Sequence, residues 1–305
     1  MAITGSGIPT NRTNIQLPND VSEEILQKTQ EGSMVMQLAR QIALPGRGVQ
    51  IPVIAGDPEA AWVAETGVKP VSNPTLDKKI MQAHKLAVIV PFSDEFRRDA
   101  ASLYDALIAR LPGVLAKKFD ETVFFGPSSG TLANFDNFSA VTGYALDDSG
   151  KTAYDGLVAA DTAVSTQGGT ITGFAFSPQG RGVLLGAQDA DKRPLFVNSA
   201  AEGAVNRLLG APVYFSAAAY KAGTSGSGAT PDIVGFAGDW THAMYGVVEG
   251  VKIDYSADAT LTSGQTTINL FQQNMFAVRA EIEVGFVADT TVFNALTAAS
   301  DVPTI

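Results

Sequence analysis

The chain has 305 residues, no cysteine and a net charge of −10. That length buries a sizeable core and suffices for two domains, while the missing thiols exclude disulfide and cysteine chemistry and fit a reducing cytoplasm. The 21 basic residues stand against 31 acidic ones, so specific binding of duplex nucleic acid, which neutralises phosphates with Lys and Arg, is disfavoured.

Residues 1–32 read as an arm. They are polar, with Pro9, Pro18 and several glycines, and only Val21–Gln30 carries a helical pattern. The start, Met1-Ala2-Ile3-Thr4-Gly5, lacks the basic and apolar regions of a secretory signal. No apolar run in the chain approaches the about 18 residues that a membrane helix needs. Met34–Ile42 suits a short helix.

Two apolar, strand-like runs follow, Val49–Ile54 and His84–Phe92. They flank Ala55–Leu76, which holds Pro58, Pro70, Pro74, Gly56 and Gly67 around a small Trp62-Val63-Ala64 patch. Such a segment makes no core of its own. A long two-stranded loop of this kind is reasonable if it lies on a neighbouring copy of the chain.

A helix is expected next. Phe96, Ala100, Leu103, Leu107 and Leu111 fall on one face. Ser93 suits the N-cap, and Asp94 and Glu95 sit where the helix dipole favours negative charge. Asp94 can pair with Arg98 one turn on. Pro112 removes a backbone donor and disfavours helix at Leu111, so a kink or break is expected there, with a second piece from Gly113 to Phe125. Gly126-Pro127 ends it.

From Thr152 onward helices and strands interleave, which suggests a central sheet. Helix is expected over Tyr154–Thr166 and Glu202–Leu209, with Gly168-Gly169 breaking the first. Ser177-Pro178 gives the N-cap and first-turn signature of another. Strands are expected over Ile171–Phe176, Pro212–Ser216, Asp232–Phe236, Val247–Tyr255 and Met275–Val287, with a flexible tip at Gly223–Gly228. The last strands and residues 291–299 are expected to return to the first half of the fold.

Several of these runs are familiar. Trp62-Val63-Ala64-Glu65-Thr66-Gly67-Val68-Lys69-Pro70 resembles the extended loop of tailed-bacteriophage major capsid proteins of the Hong Kong 97 fold. His84–Glu95 resembles the strand that enters that family's spine helix. Phe176-Ser177-Pro178, Pro194-Leu195-Phe196, Leu209-Gly210-Ala211-Pro212-Val213, Gly235–Trp240 and Met275–Glu281 agree in order and spacing. The resemblance covers roughly residues 15–297. It implies an α+β fold with an N-terminal arm (1–32), an extended β-hairpin loop (49–76), a peripheral domain with a long spine helix (33–48, 77–150 and 271–305) and an α/β-like axial domain (151–270). It also implies a structural subunit of the virion. Such subunits form hexamers and pentamers in an icosahedral head assembled in the host cytoplasm, around double-stranded DNA that is enclosed without sequence-specific binding. Portal, scaffolding and cement proteins are the further partners it suggests. Some members of the family join a loop lysine to an asparagine on a neighbour; Lys69, Lys78 and Lys79 are available, but no motif marks the other partners.

Little in the chain points to catalysis. There are two histidines. His84 sits in an apolar strand, where a structural role is expected, and His242 follows Trp240 with no partner nameable from sequence. No zinc spacing, Walker loop or nucleophile elbow occurs. Gly180-x-Gly182 with Gly186 lies in a helix pattern and reads as packing or flexibility. No catalytic, cofactor or metal site is expected. The candidate site residues are instead contacts between subunits: Trp62 with Val63 as the apolar anchor, and Glu65, Lys69, Arg97 and Arg98 as charged partners. Two other readings stay open: an encapsulin-like compartment shell, and a soluble α/β hydrolase or binding protein.

Overall fold

A computed structural model describes residues 32–56, 60, 62–63, 68–69, 71, 75–146, 152–189, 191–196, 207–224, 230–263 and 266–298. The first element, α1 (Met34–Leu38), is held by two caps. The Ser33 hydroxyl accepts from the Met36 N–H at 3.1 Å. The buried carboxylate of Asp120 accepts from the Ser33 hydroxyl at 2.6 Å and from the N–H groups of Met34 and Val35 at 2.7 and 3.3 Å. An anion at those free donors satisfies groups that a helix start leaves unpaired.

In chain order there follow β1 (Arg40–Ala43), β2 (Val49–Gly56), β3 (Thr75–Met81), β4 (His84–Ser93), α2 (Asp94–Asp99), α3 (Ala101–Phe125), β5 (Gly143–Ala145), α4 (Ala153–Thr166), β6 (Gly173–Phe176) and α5 (Pro178–Gly186). Then come β7 (Arg207–Leu208), β8 (Ala211–Phe215), β9 (Asp232–Gly238), β10 (Ala243–Ser256), β11 (Thr260–Ser263), β12 (Thr266–Asn269), β13 (Met275–Ala288) and β14 (Phe293–Ala298).

The strands form two large sheets, ordered β1-β10-β13-β4 and β5-β14-β9-β6-β8-β7, and two ribbons, β2-β3 and β11-β12. Alternation along β13 explains the first sheet. Val278, Ala280 and Ile282 face α2 and α3, where Phe96, Ala100, Leu111 and Leu115 cover them. The intervening residues carry charge: Arg279 meets Asp254 at 2.6 Å and Glu281 at 3.4 Å, and Glu283 meets Lys85 at 2.9 Å.

One aromatic core joins both sheets. Phe138 stacks on Phe293 of β14 at 4.4 Å between centroids and meets Phe286 of β13 edge-on at 5.8 Å. Phe124, near the end of α3, stacks on Phe236 of β9 at 4.7 Å. The chain passes between sheets twice over similar turns. Asp239 accepts from the N–H and hydroxyl of Thr241 at 3.1 and 2.6 Å, and Asp289 does the same for Thr291 at 3.1 and 2.8 Å. The two turns bond each other, Asp239 N–H to Val292 O and Asp289 N–H to His242 O, both at 3.1 Å.

Burial alone raises the Asp239 pKa, but the Thr241 hydroxyl, the N–H groups of Thr170 and Thr241 and the nearby His242 outweigh it and hold the carboxyl below its usual value. A lowered folded-state pKa stabilises at pH values above the unfolded one, and the contribution is lost as pH falls through the folded value. Asp239→Ala is therefore expected to lower stability at pH 7 by about 1–3 kcal/mol. The gap to the parent protein should narrow below roughly pH 4. Denaturant titrations at both pH values measure it.

Several local expectations differ from the structure. The helix begun at Met34 stops at Leu38, because the chain turns to pair β1 in parallel with β10. The return strand of the hairpin is β3, inside and just beyond the segment read as loop, while His84–Ser93 pairs with β13. α3 runs unbroken through Pro112. Leu111 and Leu115 are buried on either side of the proline and keep the helix in register against the sheet. The interruption is at Ala100 (φ −136°, ψ 51°), bridged by bonds from Ala100 N–H to Phe96 O at 2.9 Å and from Tyr104 N–H to Ala100 O at 3.0 Å. Asp94 pairs with Arg97 at 3.4 Å, and Arg98 with Asp99 at 3.0 Å. Arg207–Leu208 pairs with β8 as a strand, and residues 202–206 of that expected helix lie outside the described residues. So does most of the tip at 223–228. β14 lies in the six-stranded sheet, paired with β5 of the first half of the chain and with β9, and β10 belongs to the four-stranded sheet.

Candidate functional site

The hairpin β2-β3 is the feature without a core of its own. It pairs Val49 with Met81, Ile51 with Lys79 and Val53 with Asp77. A two-stranded ribbon offers edges on both sides, so Pro52 fits within it. A lone hairpin is marginally stable in water, and this one is secured at its base. Met81 is fully buried with Leu44 and Val287. Gly48 has φ +84°, and a Cβ there would lie 2.7 Å from the Met81 carbonyl oxygen, so glycine is required. Lys79 Nζ donates to Asp136 Oδ2 at 3.0 Å and to Ala288 O at 2.6 Å, and the same carboxylate oxygen accepts from Ala288 N–H at 3.0 Å.

Away from the base the apolar residues face solvent. Trp62 is fully exposed, Val68 is 95 % and Val71 88 % exposed, and Val63 is exposed as well. Lys69 and Lys78 are exposed too, whereas Lys79 is engaged at the base. Glu65 lies outside the described residues. Arg97 sits with its guanidinium 4.9 Å from the centre of the Phe276 ring, a cation–π contact, and Arg98 is exposed beside Asp99. Among the described residues no hydrogen bond or ion pair joins the hairpin tip to Arg97 or Arg98. Of the candidates, Trp62, Val63 and Lys69 thus lie on the segment joining β2 to β3, and Arg97 and Arg98 lie on α2.

A third exposed apolar region escaped the sequence reading. Phe271 is 75 % exposed and Tyr255 60 % exposed, next to the ribbon β11-β12. The signal was present in the sequence runs Thr260-Leu261-Thr262-Ser263 and Thr266-Thr267-Ile268-Asn269, which alternate on either side of a two-residue stretch containing glycine.

Elsewhere the polar groups do structural work. His84 Nε2 lies 2.8 Å from the Ala133 carbonyl oxygen, and its ring meets Phe135 edge-on. His242 is half exposed, 3.9 Å from Asp239. Gly180 packs closely in α5: a Cβ would lie 2.6 Å from the Val234 carbonyl oxygen. Burial, with a smaller effect from Tyr255, pushes the Tyr104 hydroxyl up. Burial, with a hydrogen bond to Asp232, does the same to Tyr220. No group of three or more potential metal ligands occurs among the described residues.

Comparison with known proteins agrees with this picture. A family model described as the phage capsid family matches residues 14–296. The probable major capsid protein of Mycobacterium phage D29 is 25 % identical over 297 residues, covering 92 % of this chain and 89 % of that protein. Two solved structures have the same fold. One, from Microbacterium phage Oxtober96, has a TM-score of 0.77 at 22 % identity, covering 92 % of this chain and 96 % of that one. The other, from Gordonia phage Cozz, has 0.75 at 23 % identity, covering 98 % and 97 %. The compartment-shell and hydrolase readings find no support in these likenesses. The capsid match spans nearly the whole sequence, both sheets and the exposed hairpin, and the chain therefore belongs to the phage capsid family and has the structural role of a capsid protein.

Proposed function

We propose that identical copies of this chain close into an icosahedral head of hexamers and pentamers around double-stranded DNA, assembling in the host cytoplasm with portal, scaffolding and cement proteins as further partners. In this reading binding energy and geometry are the whole mechanism, with no turnover. The observation that carries it is the hairpin, anchored at Met81 and Lys79 and exposing Trp62, Val68 and Val71 at its far end. Such a tip gains buried area only on another molecule. Each contact is repeated around a closed shell, so modest contacts add up. The net charge of −10 suits a wall that encloses DNA without gripping it.

The division into parts follows from the same reading. Residues 1–32 form the arm, 49–76 the extended loop, 33–48 with 77–150 and 271–305 the peripheral domain, and 151–270 the axial domain. The strand order favours exchanging two pieces, β10 to the peripheral side and β14 to the axial side. Trp62, Val63, Glu65, Lys69, Arg97 and Arg98 are the proposed contacts with neighbours.

Expressed, purified protein, with scaffolding protein added if required, should scatter light as particles far larger than a 31.8 kDa chain. Closed shells should be visible by negative-stain electron microscopy. A concentration-independent monomer under every such condition would end this reading.

A further inference from the structure

We propose that the segment 133–136, between α3 and β5, is a positioning element for assembly: it grips the root of the β2-β3 hairpin and sets the angle at which the hairpin leaves the subunit. Three contacts join this segment to the outgoing leg of the hairpin. Lys79 Nζ donates to Asp136 Oδ2 at 3.0 Å. The Gln82 N–H donates to Asn134 O at 3.4 Å, and Asn134 Nδ2 donates to Gln82 Oε1 at 3.4 Å. His84 Nε2 lies 2.8 Å from Ala133 O. The segment is itself fixed to the body. Phe135 is buried against Phe119 and Phe286. Asp136 is bonded to β13 twice, from its own N–H to Phe286 O at 3.2 Å and from the Ala288 N–H to its carboxylate at 3.0 Å.

Beneath the root, the four-stranded sheet is cut away to receive it. Gly246 of β10 and Gly285 of β13 face each other in register. A Cβ on Gly246 would lie 2.5 Å from Leu44 Cβ, and one on Gly285 would lie 2.7 Å from Gln82 O. Both legs of the root therefore rest on the sheet backbone, with the Met81 side chain buried over the glycine pair. This floor and the grip from the side hold the ribbon in one direction. Direction matters because the hairpin is a lever. The eight residues of β2 reach roughly 26 Å at about 3.3 Å each. A tilt of about 10° at the root then moves the far end by roughly 4–5 Å, more than the close fit of a packed interface tolerates. Lys79 and Asp136 are both partly exposed, and an ion pair of that kind adds little to folding stability. Its effect falls on position instead. The step from hairpin angle to shell geometry rests on the function proposed above; the grip itself does not.

The chain has no native cysteine, so spin labels can be placed cleanly. Labels on Val53→Cys of the ribbon and Val114→Cys of α3, both exposed, report the distance from hairpin to body in the unassembled full chain by double electron–electron resonance. The expected result is a distribution that widens in Lys79→Met and in Asp136→Ala by roughly 2–5 Å, the displacement that a tilt of about 10–20° gives to Val53. Lys79→Arg, which keeps the charge, should restore the parent width. Melting of Lys79→Met should stay within about 2 °C of the parent protein. A contact that only stabilised the fold would lower melting and leave the distances alone. Asp136→Ala removes bonds to β13 as well, so the partly exposed Lys79 keeps the test decisive if that variant does not fold. Unchanged widths in Lys79→Met would overturn the inference. Without labels, Lys79→Met should give unclosed sheets or particles of mixed diameter in negative stain. Uniform closed shells despite widened distances would overturn the link from angle to assembly. Widened distances together with a parent protein that never closes shells would refute the shell and support the grip.

Discussion

Trp62→Ala should abolish or severely impair particle formation and leave the subunit folded. A tryptophan buries roughly 150–250 Å² when it is covered. At about 25 cal/mol per Å² that is a gross gain of roughly 4–6 kcal/mol per contact, and truncating an anchor of this kind typically costs 2–4 kcal/mol or more. The same loss recurs at every copy in a closed shell. Within the subunit Trp62 is fully exposed, so its removal should change folding stability by no more than about 0.5 kcal/mol. The two halves of the forecast are read separately, by particle counts in negative stain and by thermal melts of unassembled protein. Normal particle yield would remove Trp62 from the interface. A large fall in melting temperature would mean that the hairpin lies on its own body.

Asp120→Ala should do the reverse, weakening the subunit itself. Its two carboxylate oxygens accept three hydrogen bonds from Ser33, Met34 and Val35 in a buried site. Bonds to a charged group contribute about 1.5–3 kcal/mol each, and orphaned buried donors carry their own cost. A loss of about 3 kcal/mol or more is expected. For a domain of this size that lowers the melting temperature by several degrees. Ser33→Ala removes one of the three and the N-terminal cap, and should cost only about 1 kcal/mol. Equal effects of the two variants in denaturant titrations would contradict this account of the anchor.

The periodic helix was legible because its buried face repeats: Phe96, Ala100, Leu111 and Leu115 all reach the core. The caps at Ser93 and Ser177 were legible for the same local reason, as short polar side chains beside free N–H groups. β3 was not, because Thr75-Leu76-Asp77-Lys78-Lys79-Ile80-Met81 lies in a ribbon with little core beneath it, so it carries no alternation. The interruption at Ala100 is set by how two helical pieces meet the sheet, and alanine leaves no trace of that in the sequence. Which sheet receives β10 and β14 depends on pairings between residues far apart in the chain. At the candidate site, an apolar patch among prolines and glycines marked Trp62 as outward-facing. The stacking of Arg97 on Phe276 joins residues far apart in sequence and left no local pattern.

The twin turns at Asp239 and Asp289 have a mechanical consequence. Two strands cross between the sheets side by side, bonded to each other in both directions. A pull applied to the hairpin enters the four-stranded sheet through β1 and β4, and α3 and both crossings share what is passed on to the six-stranded sheet. Neither peptide segment carries the full tension, and stretching one crossing first requires shearing it from the other.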